Sequence, residues 1–260
     1  MAIGKADKMN QRVLITAGAS GIGREIARAF AANGAKVFVS DIDANGLDDL
    51  AREVEGVMTK VCDNAKRSDV EALIPAAIEA LGGLDVLVNN AGISGPTAPV
   101  EAVDPDDWEA VMSVNLNGTF NITRLAIPHL KKSPAASIII MSSLGGRLGY
   151  PNRSAYCTSK WGLMGFAKTL ALELGGFNIR ANAIAPGVVS GERIDRVLEG
   201  RAKAEGKTLE AVTAAAMAIQ GIKRFVDPKD IAALCVFLAS DAGKSISGQI
   251  LPIDNYSVAG

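Results

Sequence analysis

The sequence predicts an α/β fold, a doubly wound parallel sheet of about seven strands with helices on both faces. Two observations carry this. Short runs rich in β-branched and aliphatic residues recur at 12–17 (RVLITA), 36–41 (KVFVSD), 57–62 (VMTKVC), 84–89 (LDVLVN), 137–142 (SIIIMS), 179–184 (IRANAI) and 249–253 (QILPI). Between them lie segments of helical spacing, such as Ile22, Ile26, Ala29 and Phe30, then Val70, Leu73 and Ile78. Near-continuous apolar strands alternating with helices read as βαβ units, whose sheet is covered on both faces. Right-handed crossovers then favour double winding. No linker, internal repeat or composition shift divides residues 1–260, so one domain is expected.

Taken in order, the first strand runs into Gly18, Gly21 and Gly23, with a helical segment from Ile22. A glycine turn between strand and helix lets backbone approach a pyrophosphate, and the helix N-terminus offers unpaired N–H groups. The spacing is G-x-x-G-x-G rather than G-x-G-x-x-G, so taken alone it fits a structural turn equally well. Asp41 closes the second strand, 18 residues beyond Gly23. A carboxylate there can accept hydrogen bonds from an adenosine ribose and would repel a 2′-phosphate, favouring NAD over NADP. Its plainer reading is a helix-capping aspartate.

The fourth strand ends in N-N-A-G, Asn89 to Gly92, small and polar residues at a sheet edge. After the fifth strand comes Ser143, and 13 residues later Tyr156, with Lys160 at i+4 on one helical face. An ammonium beside a phenol stabilises phenolate, which makes a tyrosine usable as a general acid/base. Residues 190–224 hold two charged, alanine-rich helical segments. They are either surface helices or, over about 190–222, a lid, since insertions after a strand's C-terminal end lie over the ligand crevice.

Composition narrows the function classes. Apolar residues make up 48% and charged residues 21%, with 27 basic against 28 acidic and a formal charge of −1. That balance argues against nucleic-acid or anionic-membrane partners held by bulk electrostatics. The three cysteines, Cys62, Cys157 and Cys235, suit a reduced compartment better than a disulfide framework. With one histidine, His129, and no C-x-x-C pair, no metal site is expected. The polar N-terminus does not read as a secretory signal, and no uncharged run reaches the roughly 18 residues of a membrane span. A cytoplasmic, soluble protein is expected.

With these residues in place, the chain resembles the short-chain dehydrogenase/reductases from about residue 11 to 254. The family's T-G-x-x-x-G-x-G turn maps onto Thr16 to Gly23, including Gly18, Ser20, Gly21 and Ile22; N-N-A-G maps onto Asn89, Asn90, Ala91 and Gly92. Y-x-x-x-K maps onto Tyr156 and Lys160, the catalytic serine onto Ser143 rather than Ser142, and the asparagine of N-x-x-G onto Asn115. The P-G after the sixth strand is Pro186–Gly187. The resemblance implies a Rossmann-like fold, NAD as cofactor, and hydride transfer between a secondary alcohol and a ketone or aldehyde. It implies catalytic roles for Asn115, Ser143, Tyr156 and Lys160, with Asn115 anchoring a proton-relay water. It adds Asp63, Asn64 and Val189 to the cofactor contacts and implies a homotetramer packed through helices 106–132 and 155–174. The alternatives are an NADPH-linked 3-oxoacyl or carbonyl reductase and a non-catalytic dinucleotide-binding sensor.

Three departures stand out. Ala17 replaces the family's first glycine, with Gly18 expected to supply the lost flexibility. Gly191 stands where a threonine usually contacts the nicotinamide, leaving Ser190 or backbone to substitute. Asp254-Asn255-Tyr256 replaces D-G-G. Substrate choice is expected from 93–100, 144–153 and 190–221, with Leu144, Arg153 and Arg193 as candidates beside Ser143. Arg153 or Arg193 could clamp an anionic substrate; solvated loop arginines are the plainer reading. Cys157 reads as a small buried filler, and Trp108 and Trp161 as packing residues.

Overall fold

The computed structural model describes residues 10–257, leaving out the side chain of Arg193. Seven parallel strands form one sheet in the order β3-β2-β1-β4-β5-β6-β7. They are β1 (Arg12–Thr16), β2 (Lys36–Asp41), β3 (Met58–Val61), β4 (Val86–Asn89), β5 (Ala136–Met141), β6 (Ile179–Pro186) and β7 (Ile250–Ile253). The order reverses between β1 and β4, which opens a crevice at the C-terminal strand ends, the usual ligand position in such sheets. Thr16, Asp41, Asn89, Met141 and Pro186 all end strands on that edge.

Successive strand residues point to opposite faces, and the burial follows that alternation. Leu14, Phe38, Leu87, Ile138 and Ile140 pack one layer with helices α3 (Arg67–Leu81), α5 (Thr119–Leu130) and α6 (Ser154–Leu174). Val13, Ile15, Val39, Val88 and Ile139 pack the other with α1 (Gly21–Ala32), α2 (Ala44–Glu53) and α9 (Pro228–Ala239). Double-faced burial is why the inner strands β1, β4 and β5 read as largely apolar runs, while the edge strands β3 and β7 are only partly buried.

The expected single helix over 106–132 is divided into α4 (Pro105–Met112), a π-helical turn at Ser113–Gly118, and α5. Residues 190–224 form α7 (Glu192–Glu205) and α8 (Leu209–Ala218), which share a small core of their own, Leu198, Ala202, Val212 and Ala216. Trp161 departs from its expected packing role: it is 53% exposed on α6. All three cysteines are buried. Burial pushes the Cys157 thiol up, which agrees with the filler reading. Among the described residues, no helix is long and apolar enough to cross a membrane.

Candidate active site

The glycine turn is built by three different constraints. Gly18 is required for space, since a Cβ there would lie 2.5 Å from Val39 Cγ1. Gly23 is required for close approach, since a Cβ would overlap the Ala17 carbonyl and reach within 2.6 Å of Asn90 Nδ2. Gly21 has φ +52° and open space around it. Flexibility does not come from Gly18, as expected from sequence; Ala17 itself takes the left-handed conformation, φ +52°. The neighbours hold it there, because Asn90 Nδ2 donates to the carbonyls of Ala17 at 2.8 Å and Thr16 at 3.2 Å.

Thr16 Oγ1 accepts from the backbone N–H of Asn90 at 3.0 Å and of Ala91 at 3.1 Å, which ties the turn to N-N-A-G. Ser20 caps α1 by position but makes no side-chain cap hydrogen bond. In contrast, Asp43, Asp104, Thr208 and Asp227 each cap their helices with a side-chain oxygen. The first-turn amides of α1 are therefore left for a ligand, and a pyrophosphate fits them by charge and dipole. Asp41 Oδ2 accepts from Ala19 N–H at 2.9 Å, so the carboxylate sits against the same turn.

The remaining cofactor candidates divide. Asp63 faces its own turn, accepting from Ala65 N–H at 3.0 Å and pairing with Lys66 at 3.7 Å. Asn64 is buried, and a Cβ on Gly118 would lie 2.6 Å from its carbonyl oxygen; that explains the glycine of N-x-x-G. Pro186 ends β6, and Gly187 is demanded by Asp254, whose Cα would lie 2.8 Å from a Cβ there. Val189 bridges to Val226. Gly191 has φ +131°, a conformation that excludes threonine, and the Ser190 hydroxyl turns to the Val226 carbonyl at 3.4 Å.

Ser143, Tyr156, Lys160 and Asn115 converge on the crevice. Ser143 follows β5 and its Oγ accepts from Gly145 N–H at 3.1 Å. A Cβ on Gly145 would lie 3.2 Å from Tyr156 Cε1, so this turn abuts the tyrosine ring. Ser142 is buried and its hydroxyl donates to the Lys160 carbonyl at 2.8 Å. Lys160 Nζ donates to the Met141 carbonyl at 2.8 Å and lies 5.8 Å from the Tyr156 ring centroid. Asn115, fully buried in the π-helical turn, grips Ile93: Oδ1 accepts from its N–H at 2.7 Å and Nδ2 donates to its carbonyl at 3.0 Å. Nδ2 also donates to Ser159 Oγ at 3.0 Å. Gly92 lies between these groups, since a Cβ on it would be 3.1 Å from Lys160 Nζ and 3.3 Å from Asn115 Oδ1.

Beside Tyr156 opens a cleft of about 460 Å³, lined by the 92–97 loop, Arg153, and Arg196, Val197 and Gly200 of α7. Leu144 is buried, and neither it nor Ser143 is among the residues lining this cleft. Arg193's side chain lies outside the described residues. Arg196 and Thr97 were not singled out from the sequence; helical spacing of Arg196 and Gly200 was the available signal. Tyr150 was also missed. Its ring approaches Gly145 beside that of Tyr156, and burial pushes its phenol up to about 12.

A doubly wound sheet, a glycine turn at an uncapped helix, and a Ser–Tyr–Lys group at one edge define a nicotinamide-dinucleotide-dependent oxidoreductase. The comparisons agree: residues 16–255 match the family model for enoyl-(acyl carrier protein) reductase. The chain belongs to the short-chain dehydrogenase/reductase family. It is 37% identical to the 3-oxoacyl-[acyl-carrier-protein] reductase of Thermotoga maritima, over 93% of this chain and 95% of that one. It is 36% identical to the D-beta-hydroxybutyrate dehydrogenase of Cupriavidus necator, over 95% and 97%. A crystal structure of NAD⁺-bound xylitol dehydrogenase superposes with TM-score 0.92 at 27% identity, covering 96% of this chain and 99% of that one.

Proposed function

We propose that the protein is an NAD-dependent oxidoreductase that interconverts a small secondary alcohol and its ketone or aldehyde. The grouping of Tyr156 with the Ser143 turn at Gly145 and with Lys160 at Gly92, next to the Asn90 that binds the glycine turn, carries this reading. When bound, the nicotinamide ring supplies the hydride acceptor. In the oxidative direction Tyr156, as phenolate, takes the hydroxyl proton while the carbinol C–H leaves as hydride and C=O forms. Ser143 orients the substrate oxygen and stabilises developing negative charge there by hydrogen bonding. Lys160, whose Nζ lies 5.8 Å from the Tyr156 ring centroid, would hold the nicotinamide ribose. The second lone pair of Asn115 Oδ1, beside Gly92 and Lys160 Nζ, holds the water that relays the proton outward. A binder with no turnover has no use for such a phenol, which argues against a sensor.

Asp41 favours NAD, because its carboxylate stands against the turn where a 2′-phosphate would need a positive charge. The likeness to a 3-oxoacyl reductase supports a second reading, an NADPH-linked reductase. The kcat/KM ratio for the two cofactors decides between them, and Asp41→Asn is expected to narrow a preference for NAD. The pair α7 and α8 is read as a lid over the cleft. Exposed Phe120, Trp161 and Leu172 on α5 and α6 support packing against further copies, here a homotetramer. A dehydrogenase screen with NAD over polyols, hydroxy acids and sulfonated alcohols tests the reaction, with Tyr156→Phe as blank. A variant that matched the native chain would overturn the mechanism.

A further inference from the structure

Among the described residues, the cleft beside Tyr156 is lined by two arginines, Arg153 and Arg196, and by no acidic residue. Arg153 is set in place before any substrate arrives. It is only 8% exposed, its Nη1 donates to Thr97 Oγ1 at 3.2 Å, and its Cζ lies 5.0 Å from the Tyr156 ring centroid. The loop carrying Thr97 is fixed in turn, since Ala98 N–H donates to the Asn152 carbonyl at 3.0 Å. Arg196 enters from the opposite element, an exposed position on α7. That helix lies against the same loop, because a Cβ on Gly200 would be 3.9 Å from Thr97 Oγ1. A rigid wall and a lid helix thus each present an arginine to one small cavity.

We propose that the substrate is a short secondary alcohol carrying an anionic headgroup, clamped between Arg153 and Arg196 while its carbinol meets Tyr156. This rests on the oxidoreductase reading and adds the substrate class. Two arginines line one cavity, and their planar guanidinium forks match carboxylate, sulfonate and phosphate oxygens in pairs. The chain between headgroup and carbinol is short, because the Arg153 guanidinium stands against the ring whose hydroxyl handles the proton. A cleft of about 460 Å³ suits a molecule of that size. The two arginines divide the work: Arg153 fixes where the headgroup sits, and Arg196 couples its arrival to the position of α7.

The test uses NAD-linked oxidation of 3-hydroxybutyrate, 2-hydroxypropanesulfonate and 2-hydroxypropyl phosphate against the neutral 3-hydroxybutyramide. At least one anionic probe is expected to exceed the amide by about 10- to 100-fold in kcat/KM, the range of one charge-assisted pair. The ranking of the three identifies the headgroup. Arg153→Gln and Arg196→Gln should each reduce the anion-to-amide ratio by about tenfold, and Arg153→Lys should restore part of it. Arg196 is exposed, so Arg196→Gln keeps the test available if Arg153→Gln does not fold. Calorimetric binding of the same probes to the Tyr156→Phe protein with NAD reads the clamp without turnover. A ratio of one in the native chain, or a ratio untouched by both glutamine variants, overturns the proposal. Failure of the native chain to oxidise any alcohol, with anion binding retained, would instead overturn the reaction and leave the clamp standing.

Discussion

Replacing Ala17 with glycine should stabilise this protein, although the same exchange in most strands or helices does the reverse. Ala17 is held at φ +52° by its contacts with Asn90 and by the close approach of Gly23. An alanine in the left-handed region costs about 1–2 kcal/mol, because its Cβ crowds the following carbonyl. Glycine relieves that strain but carries about 0.4–1 kcal/mol of extra unfolded-chain entropy. The strain term is the larger, leaving a net gain of about 1 kcal/mol, or a Tm rise of about 2–4 °C for a chain of this length. NAD affinity should change by less than about threefold, since neighbouring residues, and not the Ala17 methyl, fix the turn amides. Thermal denaturation with and without NAD measures both. A fall in Tm would mean that the left-handed strain is absent, and the account of the turn would be wrong.

Gly23→Ala should act oppositely, costing about 1–3 kcal/mol of stability by overpacking against Ala17 and Asn90. It should also weaken NAD at least tenfold, seen by titrating protein fluorescence; tight binding by the variant would remove Gly23 from the site. Tyr256 has φ +58° where the family has glycine, so Tyr256→Gly should raise Tm by a few degrees, as strain relief does at Ala17. A lowered Tm there would show that the aromatic ring contributes more than the strain costs. Asp85 is pushed up by burial, but hydrogen bonds from Arg12 and Ser133 more than offset this and hold it below the usual carboxylate range. Its contribution is therefore present above the unfolded value of about 3.9 and lost as pH falls through the folded one. Asp85→Asn should cost about 1–3 kcal/mol at pH 7 and progressively less in acid, by urea denaturation. An equal cost at pH 7 and pH 3 would contradict the sign of that shift.

Much of this protein was legible in its sequence because the governing signals are local. Seven runs became seven strands, since burial on both faces leaves a strand such as β5 almost wholly apolar, with Ser137 its one polar residue. Tyr156 and Lys160 share a face because the helix period is fixed, and the turn that follows Ser143 abuts the Tyr156 ring because β5 ends on the same edge. What the sequence could not decide were contacts between elements distant along the chain. Which glycine serves flexibility and which serves space depends on Val39, Asn90 and Ala17 meeting across the sheet edge. That the Ser142 hydroxyl is engaged by the carbonyl of Lys160 could not be read from the sequence either. Arg196 came to line one cleft with Arg153 only because α7 lies against the 92–97 loop. Periodicity and propensity act over a few residues and survive in the sequence. Crowding, left-handed strain and the pairing of charges across a cleft exist only once the chain has closed on itself.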